Sequence, residues 1–314
     1  MPKPLSADLL AQRGLKLSHL RLLAALADTG QISLAAGQIG TTQPAASRLL
    51  AEVERIVGSP VHHRTGRGMS LTAVGQALAA RAQRIQMELR DAARDMTEVA
   101  SGTTGHVRIG SVTGPAIDRV LPTLRNARLT APQVTVEVVV SPSDLLCEQL
   151  LAGRLDFVIG RLPEGPMRDL FTLTPIAPEL VSLVVRKGHP LASHPNPTPQ
   201  DLLAYDWVMP PPDSLLSRAV HASLRARGMS SPPQRLSTAS FLLIFALLQQ
   251  SNAIAPLARA VVTSFSAHPY APYTELAIDL GIEVEPFGLV TRAGAILPPV
   301  AARLAREIQN MVTA

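Results

Sequence analysis

The chain has 314 residues, 46% hydrophobic and 17% charged, which excludes a disordered or solvating chain and leaves length for two or three separate cores. A single cysteine, Cys147, excludes an intramolecular disulfide and a cysteine-based zinc site. The longest apolar run, 241–248, is far below the roughly 20 residues that span a bilayer, so it reads as a core element. Net charge is +5, and residues 1–70 hold eight basic against four acidic side chains while the remainder is close to neutral. That asymmetry fits an anionic partner for the first segment, most simply nucleic acid, or else an uneven surface charge. No apolar stretch precedes the polar Gln12 and Arg13, so no secretory leader is read; the expected compartment is the cytoplasm, with no membrane partner.

Three short bursts of helical spacing run from residue 17 to 58. The first carries Leu17, Leu20, Leu23, Ala24 and Ala27 and breaks at Asp28, Thr29 and Gly30. Ser33 reads as the cap of a short helix over 34–39, which Gly40 stops. Thr42 caps a third helix, with Pro44 in its first turn and Leu50, Val53 and Val57 on one face. Two short helices joined by a tight turn make a helix-turn-helix, and Gly66 and Gly68 then bend two short extended pieces into a hairpin, or wing.

From 72 to 101 there is no proline, and Val74, Leu78, Ala82, Ile85, Leu89, Ala92, Met96 and Val99 follow one another in steps of three and four. This near-heptad seam predicts a long helix whose stripe either pairs with a second copy or packs on its own domain. About 45 Å of helix at 1.5 Å per residue outruns a small domain, which favours the dimer, with Val74, Leu78, Ile85, Leu89 and Met96 as contacts. Residues 101–105 read as a hinge. Beyond it, β-branched runs at 107–112, 134–140, 157–160, 180–185 and 288–291 alternate with helical stretches at 115–129, 143–153, 215–228, 240–251 and 298–312. Such alternation predicts an α/β domain with a mainly parallel sheet, and its length suggests two lobes that cross at the prolines of 163–166 and 268–272.

The segments Leu34-Ala35-Ala36, Thr42-Gln43-Pro44-Ala45-Ala46-Ser47-Arg48, Val53-Glu54, Val57-Gly58-Ser59-Pro60-Val61, Arg64-Thr65-Gly66-Arg67-Gly68 and Leu71-Thr72-Ala73-Val74-Gly75 together resemble the winged helix-turn-helix of the LysR-type transcriptional regulators. The resemblance implies three parts: a winged helix-turn-helix over 1–71, a linker and dimerisation helix with its hinge over 72–104, and a two-lobed α/β effector-binding domain over 105–314. Lobe I is expected at about 105–163 and 268–314, and lobe II at about 164–267. Val61-His62-His63 departs from the family's usual Leu-Phe-Glu before the wing arginine, and a histidine in an apolar slot needs a polar partner. Leu49 and Ala51 stand where the recognition helix often carries polar residues.

On this resemblance the third helix enters the major groove with Thr41, Thr42, Gln43, Pro44, Ser47 and Arg48, while Arg64, Thr65 and Arg67 of the wing reach backbone or minor groove. Gln43 can read an adenine edge. Arg64 can also pair with Glu54. A dimer with two such helices reads an interrupted inverted repeat, and family members are often tetramers; RNA polymerase is a further expected partner. The ligand is expected between the lobes, near the hydroxyls that follow strands or open helices: Ser111, Thr113, Ser143 and Ser240. Arg161 either clamps a carboxylate or spans the lobes. A sugar, a sugar acid or another organic acid suits such walls.

Two other readings compete: an α/β enzyme with an appended DNA-binding domain, and a DNA-binding protein with no effector. The eight histidines are dispersed, and the sequence contains no H-E-x-x-H, G-x-S-x-G, phosphate-binding loop or G-x-G-x-x-G. No catalytic residue, metal or cofactor is therefore expected. His189 and His194 read as loop residues, His106 and His221 as solvated, and Cys147 as a small buried hydrophobe unless its thiol is exposed enough to sense oxidants.

Overall fold

The computed structural model describes residues 7–65, 68–101, 105–232, 234–266, 268 and 270–311. The chain forms two compact units, Met1–Ala100 and Ser101–Ala314.

The first unit holds α1 (Ala7–Gln12), α2 (Leu17–Thr29), α3 (Ile32–Gln38), α4 (Gln43–Val57), the strands β1 (His62–Thr65) and β2 (Gly68–Leu71), and α5 (Ala73–Ser101). Helical periodicity turns Leu22, Leu23 and Leu26 of α2 and Leu50, Val53 and Val57 of α4 inward, where they meet Ala35, Ala36 and Ala46 in one core. The Thr42 hydroxyl accepts the Ala45 N–H and so caps α4. Gly58 ends the same helix at φ 76°, a conformation that costs a side chain but not a glycine. α3 departs from the expected start: its cap position is Gln31, which makes no side-chain bond, so Ser33 lies within the first turn. Burial of Ala35 and Ala36 holds this short helix instead of a cap.

β1 and β2 pair antiparallel, with His62 opposite Leu71 and His63 opposite Ser70. The Met69 N–H donates to the Gly30 carbonyl, which fastens the hairpin to the turn between α2 and α3. At the start of α5 a Cβ on Gly75 would collide with the Val61 carbonyl, so only glycine lets the helix pass this close to the strand. Along α5 the expected seam divides. Ala79 and Ala82 are buried in this unit's own cores with Leu78 beside them, whereas Val74, Ile85, Leu89 and Met96 are exposed.

The second unit begins with β3 (Gly105–Ser111) and α6 (Thr113–Pro115), which continues through a π-helical turn, Ala116–Val120, into α7 (Leu121–Thr130). There follow β4 (Val134–Val140), α8 (Ser143–Leu151), β5 (Phe157–Gly160), β6 (Phe171–Arg186), α9 (Pro199–Leu202), β7 (Trp207–Met209), α10 (Leu215–Ala226), β8 (Gln234–Ser237) and α11 (Phe241–Gln250). The unit closes with β9 (Ala255–Ala258), α12 (Arg259–Ser266), β10 (Tyr273–Glu275), β11 (Glu283–Arg292) and α13 (Pro299–Asn310).

The main sheet runs β10-β6-β11-β5-β3-β4, with β9 also on β6. It is mixed, not mainly parallel: β3 is parallel to β4 and β5, but β11 inserts antiparallel between β5 and β6. β6 and β11 serve both lobes. The first half of β6 pairs with β11 as far as Phe171 opposite Arg292, and its second half pairs with β9 and β10. The lobes therefore cross within these two strands, near 175–180 and 283–287, and not at the prolines of 163–166 and 268–272. Both strands run continuously through the junction, where their mutual pairing shifts register between Val284 and Gly288.

Each lobe packs both faces of its sheet. In lobe I, Val107, Ile109, Phe157, Ile159, Leu304 and Ile308 form one layer, and Leu146, Cys147, Leu150, Val158 and Val290 form the other. In lobe II, Leu183, Trp207, Val220 and Ile254 lie on one side while Val184, Val208, Ile244 and Leu257 lie on the other, as strand alternation requires. The apolar run of α11 is only half core: Ile244, Phe245 and Leu248 are buried, but Leu242 is 86% exposed. No helix among the described residues is long and apolar enough to cross a membrane.

His189 lies in a loop, as expected, but is buried there. Its Nδ1 accepts the Leu191 N–H, its Nε2 meets the Asn252 carbonyl, and its ring lies 4.5 Å from that of Tyr205. Burial pushes its pKa below the ordinary imidazole value, opposed in part by the Asn252 carbonyl. An unfolded chain thus takes up this proton before the folded one does. Stability of the second unit should be complete above about pH 6.5 and fall as pH drops below it. Thermal melts between pH 7.5 and 5.5 check this, and His189→Gln should flatten the acid side of the curve.

Candidate functional site

α4 presents two unlike faces. Ala46, Leu50, Val53, Ile56 and Val57 are buried, while Thr42, Gln43, Pro44, Ser47, Arg48 and Ala51 are exposed along the opposite side. Gln43, Ser47 and Arg48 make no side-chain hydrogen bond or ion pair among the described residues, so their donors and acceptors are free for an outside partner. Thr41 is half-buried in the turn before the cap. Leu49 packs against the core, which accounts for an apolar residue at that position. The side chains of Arg64 and Thr65, and all of Arg67, lie outside the described residues.

Glu54 uses its Oε1 to accept the Val61 N–H at 3.0 Å and to face His62 Nδ1 at 3.0 Å, while the expected pair with Arg64 falls on a side chain outside the described residues. A second imidazole, missed in the sequence because nothing marked it as polar, lies on the other side of α4. His19 is buried, with Nδ1 accepting the Lys16 N–H and Nε2 3.0 Å from Glu52 Oε2.

In the second unit the carboxyl ends of β3 and β5 and the first turn of α8 converge. Ser111 is buried, with its hydroxyl turned to the Val112 carbonyl. Ser143 accepts the Arg161 N–H at 3.0 Å, and a Cβ on Gly160 would lie 3.0 Å from the Ser143 hydroxyl. Thr113 opens the helix that follows β3, half-buried. These four positions share one edge of lobe I. Ser240 is on lobe II, where its hydroxyl caps α11 by accepting the Leu243 N–H. Ile117 packs against the α11 and α12 cluster, so the two lobes meet beside Thr113.

Arg161 is already occupied. Its Nη2 is 2.8 Å from Glu179 Oε2, and its Nε donates to the Glu285 carbonyl at 2.6 Å. Glu179 belongs to β6 and Glu285 to β11, so this one guanidinium holds both strands where they cross between lobes. The other Glu179 oxygen presses on Gly114, where any side chain would strike it. Nearby Asp118 has its pKa raised, chiefly by burial and further by the Glu179 charge, against the pull of Arg119.

Cys147 is buried and its thiol is 3.6 Å from the Arg161 carbonyl. Burial, with help from the Asp144 charge, pushes its pKa up to about 12. The thiolate needed for alkylation or oxidation is thus scarce at neutral pH. Iodoacetamide should leave the folded chain unlabelled over a time that labels the urea-unfolded chain fully, as mass spectrometry would show. Open grooves of about 520 Å³ beside Arg259 and about 550 Å³ beside Arg125 include none of the residues expected to bind an effector.

A winged helix-turn-helix followed by a long helix and a two-lobed α/β unit is the layout of a DNA-binding transcriptional regulator. The model for the bacterial regulatory helix-turn-helix protein of the lysR family matches residues 17–76, and that for the LysR substrate binding domain matches residues 100–312. The chain belongs to the LysR family of transcriptional regulators. It is 45% identical over 245 residues to the HTH-type transcriptional regulator GbpR of Rhizobium radiobacter, covering 77% of this chain and 81% of that one. The regulator of the same name from Azospirillum brasilense is 32% identical over 289 residues, covering 92% and 84%. Among solved structures, full-length CbnR complexed with its target DNA aligns at a TM-score of 0.61 with 22% identity, over 95% of this chain and 100% of that chain. ArgP from Mycobacterium tuberculosis aligns at 0.66 with 16% identity, over 94% and 96%. At these identities the two structures bear on the fold alone.

Proposed function

We propose that this regulator binds an interrupted inverted repeat as a dimer and that a small polar metabolite between the lobes of its second unit controls promoter output. The supporting observation is the exposed row of Gln43, Ser47 and Arg48, without side-chain partners among the described residues, on a helix whose opposite face is in the core. Thr41, Thr42 and Pro44 set the start of that helix against the phosphate backbone, and Arg64, Thr65 and Arg67 complete the surface from the wing. The exposed Val74, Ile85, Leu89 and Met96 pair two copies, with Leu78 at the edge of the seam. On this reading the parts are 1–71 for DNA, 72–104 for dimerisation and 105–314 for the effector; two dimers on adjacent sites would make a tetramer, and RNA polymerase reads the result.

For the ligand, Ser111, Thr113 and Ser143 form the lobe I wall and Ser240 the facing one. Arg161 shapes the wall by fixing the strand crossing. With its charge met by Glu179 and with the Asp118 carboxyl alongside, this edge offers acceptors more than a free cation. That balance ranks a sugar above a sugar acid or another organic acid. Ligand control requires different affinities for two lobe arrangements. A thermal-shift series with sugars, sugar acids, aromatic acids and amino acids tests this, because a ligand at 100 times its dissociation constant adds about 2.7 kcal/mol of stability. A sugar that stabilises the protein and changes its DNA affinity supports the reading; acids alone doing so overturns the ranking, and no ligand doing so overturns effector control.

A further inference from the structure

We propose that Glu54 and His62 are positioning residues that lock the wing to the recognition helix, so that DNA meets both in one register. The inference rests on reading α4 as the helix that contacts DNA. Glu54 lies in the last turns of α4, seven residues on from Ser47 and therefore on the same side of the helix as Gln43 and Ser47, two turns nearer its C-terminal end. One of its oxygens takes both the Val61 N–H and the His62 ring at 3.0 Å, immediately before and at the start of β1. The pair is partly shielded, with 20% of the His62 side chain and 29% of the Glu54 side chain exposed. Elsewhere the hairpin is held by main-chain bonds from Met69 to the Gly30 carbonyl and from Thr72 to the Val61 carbonyl, by the Thr72 hydroxyl on the Pro60 carbonyl, and by Val61, Met69 and Leu71 on the core. Among the described residues Glu54 supplies the side-chain hydrogen bonds between α4 and the β1 end of the wing.

His62 faces the carboxylate through Nδ1, so the ring bonds to a charged acceptor and the link is charge-assisted. From β2 the residue opposite His62 is Leu71, which carries no charge, and the neighbouring His63 is opposite Ser70. On the far side of α4 the other imidazole, His19, uses Nδ1 to accept the Lys16 N–H and faces Glu52.

The test measures DNA affinity of the full-length dimer by fluorescence anisotropy on a mixed-sequence duplex long enough for two half-sites, at several salt concentrations. Thermal melts of each variant run alongside. If unlocking drops the seated fraction to about a fifth, affinity falls about fivefold. Glu54→Ala and His62→Ala should both show that loss with a shallower salt slope, because wing phosphates are released. Glu54→Gln, which keeps a carbonyl acceptor, should recover most of the affinity. Unmoved affinity and salt slope in folded Glu54→Ala and His62→Ala would overturn the proposal alone. An unaltered chain that binds no duplex, or an Arg48→Ala chain that binds it as well as the unaltered one, overturns the reading of α4 and the proposal with it.

Discussion

Arg161→Ala should cost the second unit about 3–5 kcal/mol of stability, the usual penalty for removing one member of a buried ion pair. The guanidinium is buried, and it neutralises Glu179 while donating to the Glu285 carbonyl. Its loss leaves the carboxylate pressed on Gly114 with no counter-charge and strips a donor from β11 at the point where that strand's pairing with β6 is irregular. Urea unfolding followed through Trp207, the single tryptophan and fully buried in lobe II, reads the effect if both lobes melt together. Arg161→Ala combined with Glu179→Gln should recover part of the loss, because the stranded charge has gone. A side chain that merely grips ligand would behave otherwise, lowering effector response while the ligand-free protein melted unchanged. A cost below about 1 kcal/mol would therefore return Arg161 to the ligand and remove it from the strand crossing.

The same residue shows what the sequence could and could not disclose. Arg161 follows a β-branched run and was legible as a group at a strand end. Its partners stand on β6 and β11, and no spacing rule connects residues 161, 179 and 285 because strand order decides which of them meet. β6 itself was half hidden. Pro175 and Pro178 argue against a strand, yet β11 pairs with this part of β6, and the expected strand began only at 180. Local signals fared better where backbone geometry was the message. Thr42 before Gln43-Pro44 and Gly58 after Val57 marked both ends of α4, and the alternating steps of three and four drew α5 nearly to the residue. Ser33 misled because a hydroxyl near a helix start can lie one turn position too far in, leaving Ala35 and Ala36 to hold α3 by burial. His62 was recognisable as a polar ring in an apolar slot that needs a partner, but only the fold, which brings Val61 and His62 against the Glu54 carboxylate, names that partner.

Gln43→Ala should weaken binding to the specific operator by about 1–3 kcal/mol while changing binding to random DNA little. The asymmetry follows from where the residue sits. Gln43 is the first residue of α4, held in place by the Thr42 cap below it and the fixed backbone of Pro44 after it, and its amide is exposed without a partner. An amide offers a donor and an acceptor side by side, which matches an adenine edge and gives nothing extra to a phosphate. The substitution keeps a good helix former outside the core, so the melting temperature should hold and the loss can be assigned to recognition. Arg48→Ala, one turn on, removes charge and should lower specific and random binding together, with a reduced salt slope. Measured on an operator selected from a random pool, equal losses for Gln43→Ala on operator and random duplex would remove it from base reading. A loss confined to operators carrying adenine at one position, cancelled when that base pair is changed, would tie the first turn of α4 to that pair.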